Sequence, residues 1–436
     1  MRTFKYFSFI LIAAMLLAAC TPAATPAPTT APAAPTTAPA APTTAPAMPT
    51  TAAAMPTTAP AAPTTAAPAA PTTPVTFTGT LNIGVLAPLS GSVPTFGVST
   101  KQGALLAVAQ WNAKGGVLGE KINAIVEDSQ CLPDPAVNAA NLLINQDHVH
   151  YLIGEVCSKA TIPVSLIADT NKVIEISSAS TAVGVTVNTD GTTKPYVFRA
   201  CFIDPFQGKV AAKFALTTLK AKSAFIMADP TNDYVKGLAD AFQAAFTAGG
   251  GTIVGREAYT STDTDFSAIL AKVAAASPDM VYLPDYYNVV NLVTKQAKAQ
   301  GINVPFMGGD GWDSSDLDVV SAAGGYYTNH YSPDSTDPAV VNFIKDYGAA
   351  YKDDKGNPEV PDALAALAYD ATDLELEGIK EAGADNTDQV KTALEKINFQ
   401  AVTGDITFDA QHDPIKSAVI LAVTATGVKF NSVVAP

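Results

Sequence analysis

The sequence predicts an α/β fold of two doubly wound, parallel-sheet lobes joined by a hinge of several crossings. Three observations point to it. Short apolar runs alternate with helical periodicities from residue 81 onward. The alternation breaks near Arg199 and then restarts, which calls for two sheets rather than one. The folded part, about 360 residues long, exceeds what a single core usually supports.

Each element has its own signal. Residues 81–86 form an apolar run that reads as a buried strand. A helix follows over 97–113, with Leu105, Val108, Ala109 and Trp111 on one broad side and Gly115-Gly116 as its stop. Residues 122–127 are the next strand. Asp134 is expected to cap a helix with Pro135 in its first turn and Ala136, Ala140, Leu143 and Ile144 facing inward. A strand at 151–153, a helix over 161–169 and a strand at 173–176 complete the first series, followed by a hairpin-like stretch to Arg199. The second series places strands at 224–227, 252–254, 280–283 and 304–307, with helices between them. From about residue 331 there are helical segments at 339–351, 363–381 and 387–396 but too few strands for a third domain. This part is expected to complete the first lobe and then the second. The expected division is 77–202 with 332–405 for lobe 1, and 203–331 with 406–436 for lobe 2.

The N-terminus carries a separate message. Arg2 and Lys5 precede an apolar run over 6–17, and Leu17-Ala18-Ala19-Cys20 closes it. That order is a secretory signal whose cleavage site ends in a lipid-accepting cysteine. The run is shorter than the ~20 residues a spanning helix needs. Residues 21–76 are almost entirely Ala, Pro and Thr, with a Thr-Thr pair every seven residues. Proline in every repeat excludes a coiled coil, so the segment reads as an extended, disordered spacer reaching up to roughly 170 Å. The protein is expected to be extracytoplasmic and lipid-anchored to the cell membrane through Cys20.

Charge and cysteine content narrow the function. A formal charge of −14 without a basic cluster excludes nucleic acid as a partner. Cys131 and Cys157, in an oxidising compartment and near the ends of neighbouring strands, are expected to form a disulfide. Cys201 is left as a buried free thiol. The four histidines, His148, His150, His330 and His412, lack metal-ligand spacing, and neither a nucleophile elbow nor a phosphate-cradling glycine loop occurs. No catalytic residue, metal or cofactor is expected.

Open parallel sheets bind ligands beyond the carboxyl ends of their strands. Those positions hold Ser90-Gly91 and Phe96, then residues 157–161 opening a helix, then 177–181, with Ser180 and Thr181 at its end. In the second series they hold residues 229–234, then Asp285-Tyr286-Tyr287, then residues 308–312 around Asp310. Hydroxyls and free helix amides on the first lobe suit a carboxylate. Phenols and one acid on the second suit an ammonium group. Taken singly, each has an ordinary structural role: Ser and Thr as helix caps, the tyrosines as core, Asp310 as a turn residue. Six such stations in succession suggest a clamp for a zwitterion.

The chain from residue 81 onward resembles the periplasmic binding proteins for leucine, isoleucine and valine, the type 1 solute receptors of ABC transporters. The resemblance is carried by Pro88-Leu89-Ser90-Gly91, by Trp111-Asn112-Ala113-Lys114-Gly115-Gly116 and by the two paired cysteines. It implies the type 1 periplasmic-binding-protein fold and an α-amino acid as ligand, branched-chain or otherwise hydrophobic. It places the carboxylate-binding serine on Ser158 and the residue holding both ends of the amino acid on Thr181, with Ser180 beside it. The cleft tyrosines fall on Tyr234 and Tyr286, the ammonium-binding acid on Asp310 and an aromatic lid on Phe96. It implies an ABC permease as partner and a monomeric receptor. The chain departs from the family at Asp310, where glutamate is usual, and Glu155, Lys159, Asp285 and Trp312 bring charge and bulk close to the mouth. A ligand sensor coupled to a separate membrane signalling protein is the alternative; an enzyme has no support.

Overall fold

The computed structural model describes residues 75–435. The expected signal segment with Cys20 and the expected spacer, up to residue 74, lie outside the described residues. No helix among the described residues is long and apolar enough to cross a membrane.

The first sheet has five parallel strands in the order β2-β1-β3-β4-β5. These are β1 Gly79–Ala87, β2 Glu120–Asp128, β3 Tyr151–Ile153, β4 Ile174–Ser177 and β5 Val197–Arg199. Helices α1 Pro94–Ala113, α2 Pro133–Asn145 and α3 Ser158–Asn171 connect them. The central strands are buried on both faces, and their apolar runs reflect that. One expectation needs correction here. Leu132, not Asp134, occupies the cap of α2, and Asp134 lies in the first turn. The stretch before Arg199 holds a short turn, Val183–Val185, and a hairpin-like antiparallel bridge, Val187 with Thr193, before β5 joins the sheet as a fifth parallel strand.

The second sheet has seven strands in the order β12-β11-β10-β9-β8-β6-β7. They are β6 Ser223–Ala228, β7 Thr252–Ala258, β8 Met280–Tyr282, β9 Phe306–Gly308, β10 Tyr326–Asn329, β11 Ala418–Thr424 and β12 Gly427–Val434. Its helices are α4 Asp204–Thr217, α5 Asp233–Ala248, α6 Ser267–Ala276 and α7 Tyr287–Ala299. This sheet is mixed rather than purely parallel, because β11 runs antiparallel to both β10 and β12. A tight turn joins β11 to β12, and that connection suits only antiparallel strands.

After β10 the chain returns to the first lobe. There α8 Pro338–Ala350, α9 Ala363–Ala382 and α10 Thr387–Leu394 form, with α9 against α1, β3 and β4. Residues 406–413, expected with the second lobe, pack on β5 instead: Phe408 lies 5.1 Å from the Phe198 ring, and Asp413 pairs with Arg199 at 2.7 Å. The chain then crosses once more into β11. It therefore passes between the lobes three times: after β5, after β10 and before β11.

Candidate functional site

The carboxyl ends of both sheets face one cleft, and each side of it is built from the first turns of helices. On the first lobe Phe96 stands in the opening turn of α1 and is buried. Ser158 opens α3, where the helix dipole presents its positive end. On the second lobe Tyr234 follows the Asn232 cap of α5, and Tyr286 occupies the cap position of α7. Asp310 begins the short turn after β9. These five residues line one small cavity with Val156, Ala179, Gly311 and Leu364.

The lobes are closed on each other. Phe96 meets Tyr286 and Tyr287 edge-on across the cleft, at 5.6 and 5.2 Å. Thr95 and Ser314 share a hydroxyl hydrogen bond of 2.9 Å, and the Ala363 amide at the start of α9 donates to Asp313 at 2.8 Å. The cavity left between the lobes is about 20 Å³, room for one water molecule. A solute larger than water can enter only when the hinge opens.

Asp310 is the electrostatic centre. Its Oδ1 accepts from Tyr234 Oη at 2.9 Å and from Gln207 Nε2 at 2.8 Å, and its Oδ2 lies 3.0 Å from His330 Nε2. Burial lowers the His330 pKa, and although the Asp310 carboxylate pushes the other way, the ring stays neutral near neutral pH. A buried carboxylate thus has three neutral donors and, among the described residues, no Lys or Arg partner. A carboxylate offers about four acceptor positions, so room for one more donor remains. Tyr234 stacks on Tyr286 with centroids 5.1 Å apart and also accepts the Gly311 amide at 2.8 Å, which fixes the phenol beside the acid.

Two further expected residues, Ser180 and Thr181, do not line this cavity. Ser180 turns its hydroxyl into the first lobe, where it donates to the Glu155 carbonyl at 3.1 Å and shares a hydrogen bond with Thr161. Thr181 is buried, and its carbonyl accepts the Asp204 amide at 2.9 Å. Ala179 is the residue of this loop that lines the cavity. The charges expected to crowd the mouth are held inside the lobes or at the surface. Glu155 accepts from Ser129 and the Cys157 amide, both at 2.6 Å, while burial pushes its pKa up to about 7. Asp285 accepts from Tyr259 at 2.6 Å and is likewise pushed up to about 7 by burial. Lys159 is exposed. Trp312 turns into the second lobe and donates to the Leu283 carbonyl at 3.0 Å.

Gln207, His330 and Leu364 escaped the sequence reading. Gln207 lies within a helix, and Leu364 looks like ordinary core at a helix start. His330 could be recognised only by its place after β10, a strand too short and polar to be read. The expected disulfide is formed: Cys131 and Cys157 have Cα atoms 5.4 Å apart. They follow β2 and β3, which flank β1 rather than each other. Cys201 is free and buried, its thiol pushed up to about 12 by burial.

Two α/β lobes closing on a polar cleft, with a hinge of three crossings, define a solute-binding receptor. Residues 80–427 match the periplasmic binding protein family, and the chain belongs to it. It is 35% identical to a Leu/Ile/Val-binding protein of Rhizobium johnstonii over 322 residues, 72% of this chain and 83% of that one. It is 30% identical to the leucine-, isoleucine-, valine-, threonine- and alanine-binding protein of Pseudomonas aeruginosa, over 77% of this chain and 87% of that one. Among solved structures it is similar to the leucine-binding protein LivK of Thermotoga maritima (33% identity, TM-score 0.75, 82% of this chain and 99% of that one). The branched-chain amino acid transporter substrate-binding protein LivJ of Streptococcus pneumoniae, in complex with isoleucine, is similarly close (31% identity, TM-score 0.75, 82% and 100%). The family binds solutes outside the cytoplasm and is not enzymatic, so this chain is an extracytoplasmic binding protein.

Proposed function

We propose that this receptor captures an α-amino acid, with branched-chain or other hydrophobic side chains preferred, and delivers it to an ABC permease as a lipid-anchored monomer held by Cys20. One observation carries the reading: Asp310 is a buried carboxylate held by three neutral donors at a cleft with, among the described residues, no Lys or Arg partner, which suits an incoming ammonium group. Ser158 and the amino end of α3 stand opposite and would take the α-carboxylate. Phe96, Val156, Ala179 and Leu364 give the side chain an apolar wall. Ser180 and Thr181 would contribute through their backbone and through the shape of their loop. In this reading the lobes would divide as the sequence suggests, except that 406–413 would go with the first. The names of the relatives support the amino-acid class, and some of them bind leucine or isoleucine.

The test is calorimetry of the purified protein against the twenty amino acids, amides and small carboxylates. Heat with leucine, isoleucine or valine is expected, and its loss in Asp310→Asn. If no amino acid gives heat, the reading fails.

A further inference from the structure

His330 and His412 are both buried, and the structure sets them in opposite tautomers. His412 donates from Nδ1 to the Val197 carbonyl at 2.9 Å, whereas His330 meets Asp310 with Nε2 at 3.0 Å. A carboxylate can only accept, so the His330 proton lies on Nε2. Its Nδ1 is buried without a partner, and the side chain has no exposed surface. A second proton, on Nδ1, would find neither water nor an acceptor there. His330 therefore serves Asp310 as a neutral donor and leaves the charge of the acid to a ligand. Asp310 Oδ1 already accepts twice, from Tyr234 and Gln207, so the open acceptor position is on Oδ2, the oxygen that His330 contacts.

Several elements surround the ring. Asp310, on the turn after β9, favours a proton on it, and Lys416, on the crossing before β11, opposes one. Phe202, on the crossing after β5, stacks on its face at 3.7 Å and carries no charge. Tyr234 of α5 and Gln207 of α4 are neutral. Asp204, which opens α4, and Cys201 beside Phe202 are held protonated by burial. Burial also lowers Lys416 to about 8, so it stays cationic in acid. The proton gained here on acidification thus belongs to His330 and Asp310 as a pair.

We infer that His330 is an acid-triggered release element of the ammonium station: once protonated, it supplies the counter-charge that Asp310 otherwise finds in the ligand, and the amino acid is released. This rests on the proposed amino-acid function. Imidazolium and ligand ammonium would share one buried oxygen, and with Lys416 nearby the like charges repel. The effect is reciprocal: the ligand makes His330 harder to protonate, and protonation weakens the ligand. Burial already holds His330 below its usual value of about 6.5. Affinity is therefore full above that pH and falls as pH drops through the His330 midpoint, by up to about tenfold per unit.

The test is leucine calorimetry on the full chain from about pH 7.5 to 4.5, for the parent and His330→Gln, together with nitrogen-15 NMR of the parent's histidine rings. Leucine keeps both its charges over this range. The parent is expected to lose at least about tenfold in affinity, and His330→Gln about threefold at most, because an amide donates but takes no proton. Glu155 and Asp285 titrate alike in both proteins, so the difference belongs to His330. In the spectra His330 should be neutral with its proton on Nε2, against His412 as the Nδ1–H reference, and leucine should move its protonation to lower pH. A flat parent profile, superimposable profiles, a His330 that is charged or Nδ1–H at neutral pH, or a His330 titration that leucine leaves unmoved overturns the inference; the spectra need no variant. Those failures leave the amino-acid reading standing. Absence of leucine heat at every pH fells that reading and this release with it.

Discussion

The Tyr234 phenol donates to Asp310 Oδ1 at 2.9 Å while accepting the Gly311 amide at 2.8 Å. This pair makes the acid rigid before any ligand arrives. A carboxylate buried on flexible contacts would need reorganising on binding; here the first turn of α5, the turn after β9 and α4 all fix it in place. Preorganisation of this kind reduces the cost of ligand capture.

Asp310→Ala should cost about 3–5 kcal/mol of amino-acid affinity, roughly two to four decades in Kd, because the ligand ammonium would then be buried without a counter-charge. The fold should survive, since the substitution also removes a desolvated charge. Calorimetry and a thermal melt on the same sample separate the two effects. Equal affinity in a folded variant would place the ammonium elsewhere. Tyr234→Phe should act more mildly, by about 1–3 kcal/mol, through the unmet Gly311 amide and the lost donor to Asp310.

Much of this arrangement is legible in the sequence, for a definite reason. Phe96, Ser158, Tyr234, Tyr286 and Asp310 follow strand ends that apolar runs reveal, and open sheets put such residues at one cleft. What escaped depends on chain return. Tyr326–Asn329 is a strand only because β9 and β11 pair with it. Val197–Arg199 ends in a buried arginine that needs Asp413, more than two hundred residues away. Leu364 and His330 reach their sites through the hinge crossings, which local patterning does not encode. The inward turn of Ser180 is set by Glu155 and Thr161, side-chain contacts within the lobe that spacing cannot show.

Reduction of Cys131–Cys157 should lower stability by about 3.5 kcal/mol on the loop-entropy relation for its separation of 26 residues. The midpoint of denaturant unfolding with and without reductant measures this. In the native protein Cys201 should stay unlabelled by thiol reagents and react only after unfolding, because it is buried and its pKa is raised to about 12. Rapid native labelling at Cys201 would contradict the structure.

Stability should fall as pH rises from about 4 to 7. Asp285 and Glu155 are held protonated in the folded state up to about 7, chiefly by burial, whereas in the unfolded chain they ionise near 4. The folded state therefore binds more protons across that window, and the unfolding free energy has a negative slope with pH. Asp128 and Asp240, whose pKa values are lowered, act below that window and in the opposite sense. Asp285→Asn should flatten the profile. A stability that climbs from pH 4.5 to 7, or a variant with unchanged slope, would sink the assignment.

Phe96 joins the lobes as well as lining the cleft, so its truncation separates two roles. Its ring meets Tyr286 and Tyr287, both on the second lobe, and these edge-on contacts exist only when the cleft is shut. Each such pair contributes about 0.5–1.5 kcal/mol beyond area burial. Phe96→Ala should therefore shift the hinge equilibrium toward the open form, visible as a larger radius of gyration by X-ray scattering without ligand. It should also enlarge the apolar wall, so discrimination among side chains ought to change by about 1–3 kcal/mol, with bulkier ones gaining relative to valine. A variant that scatters like the parent and keeps the same side-chain ranking would mean that Phe96 is merely core. A variant that opens without any change in ranking would leave it a latch between the lobes with no part in selectivity.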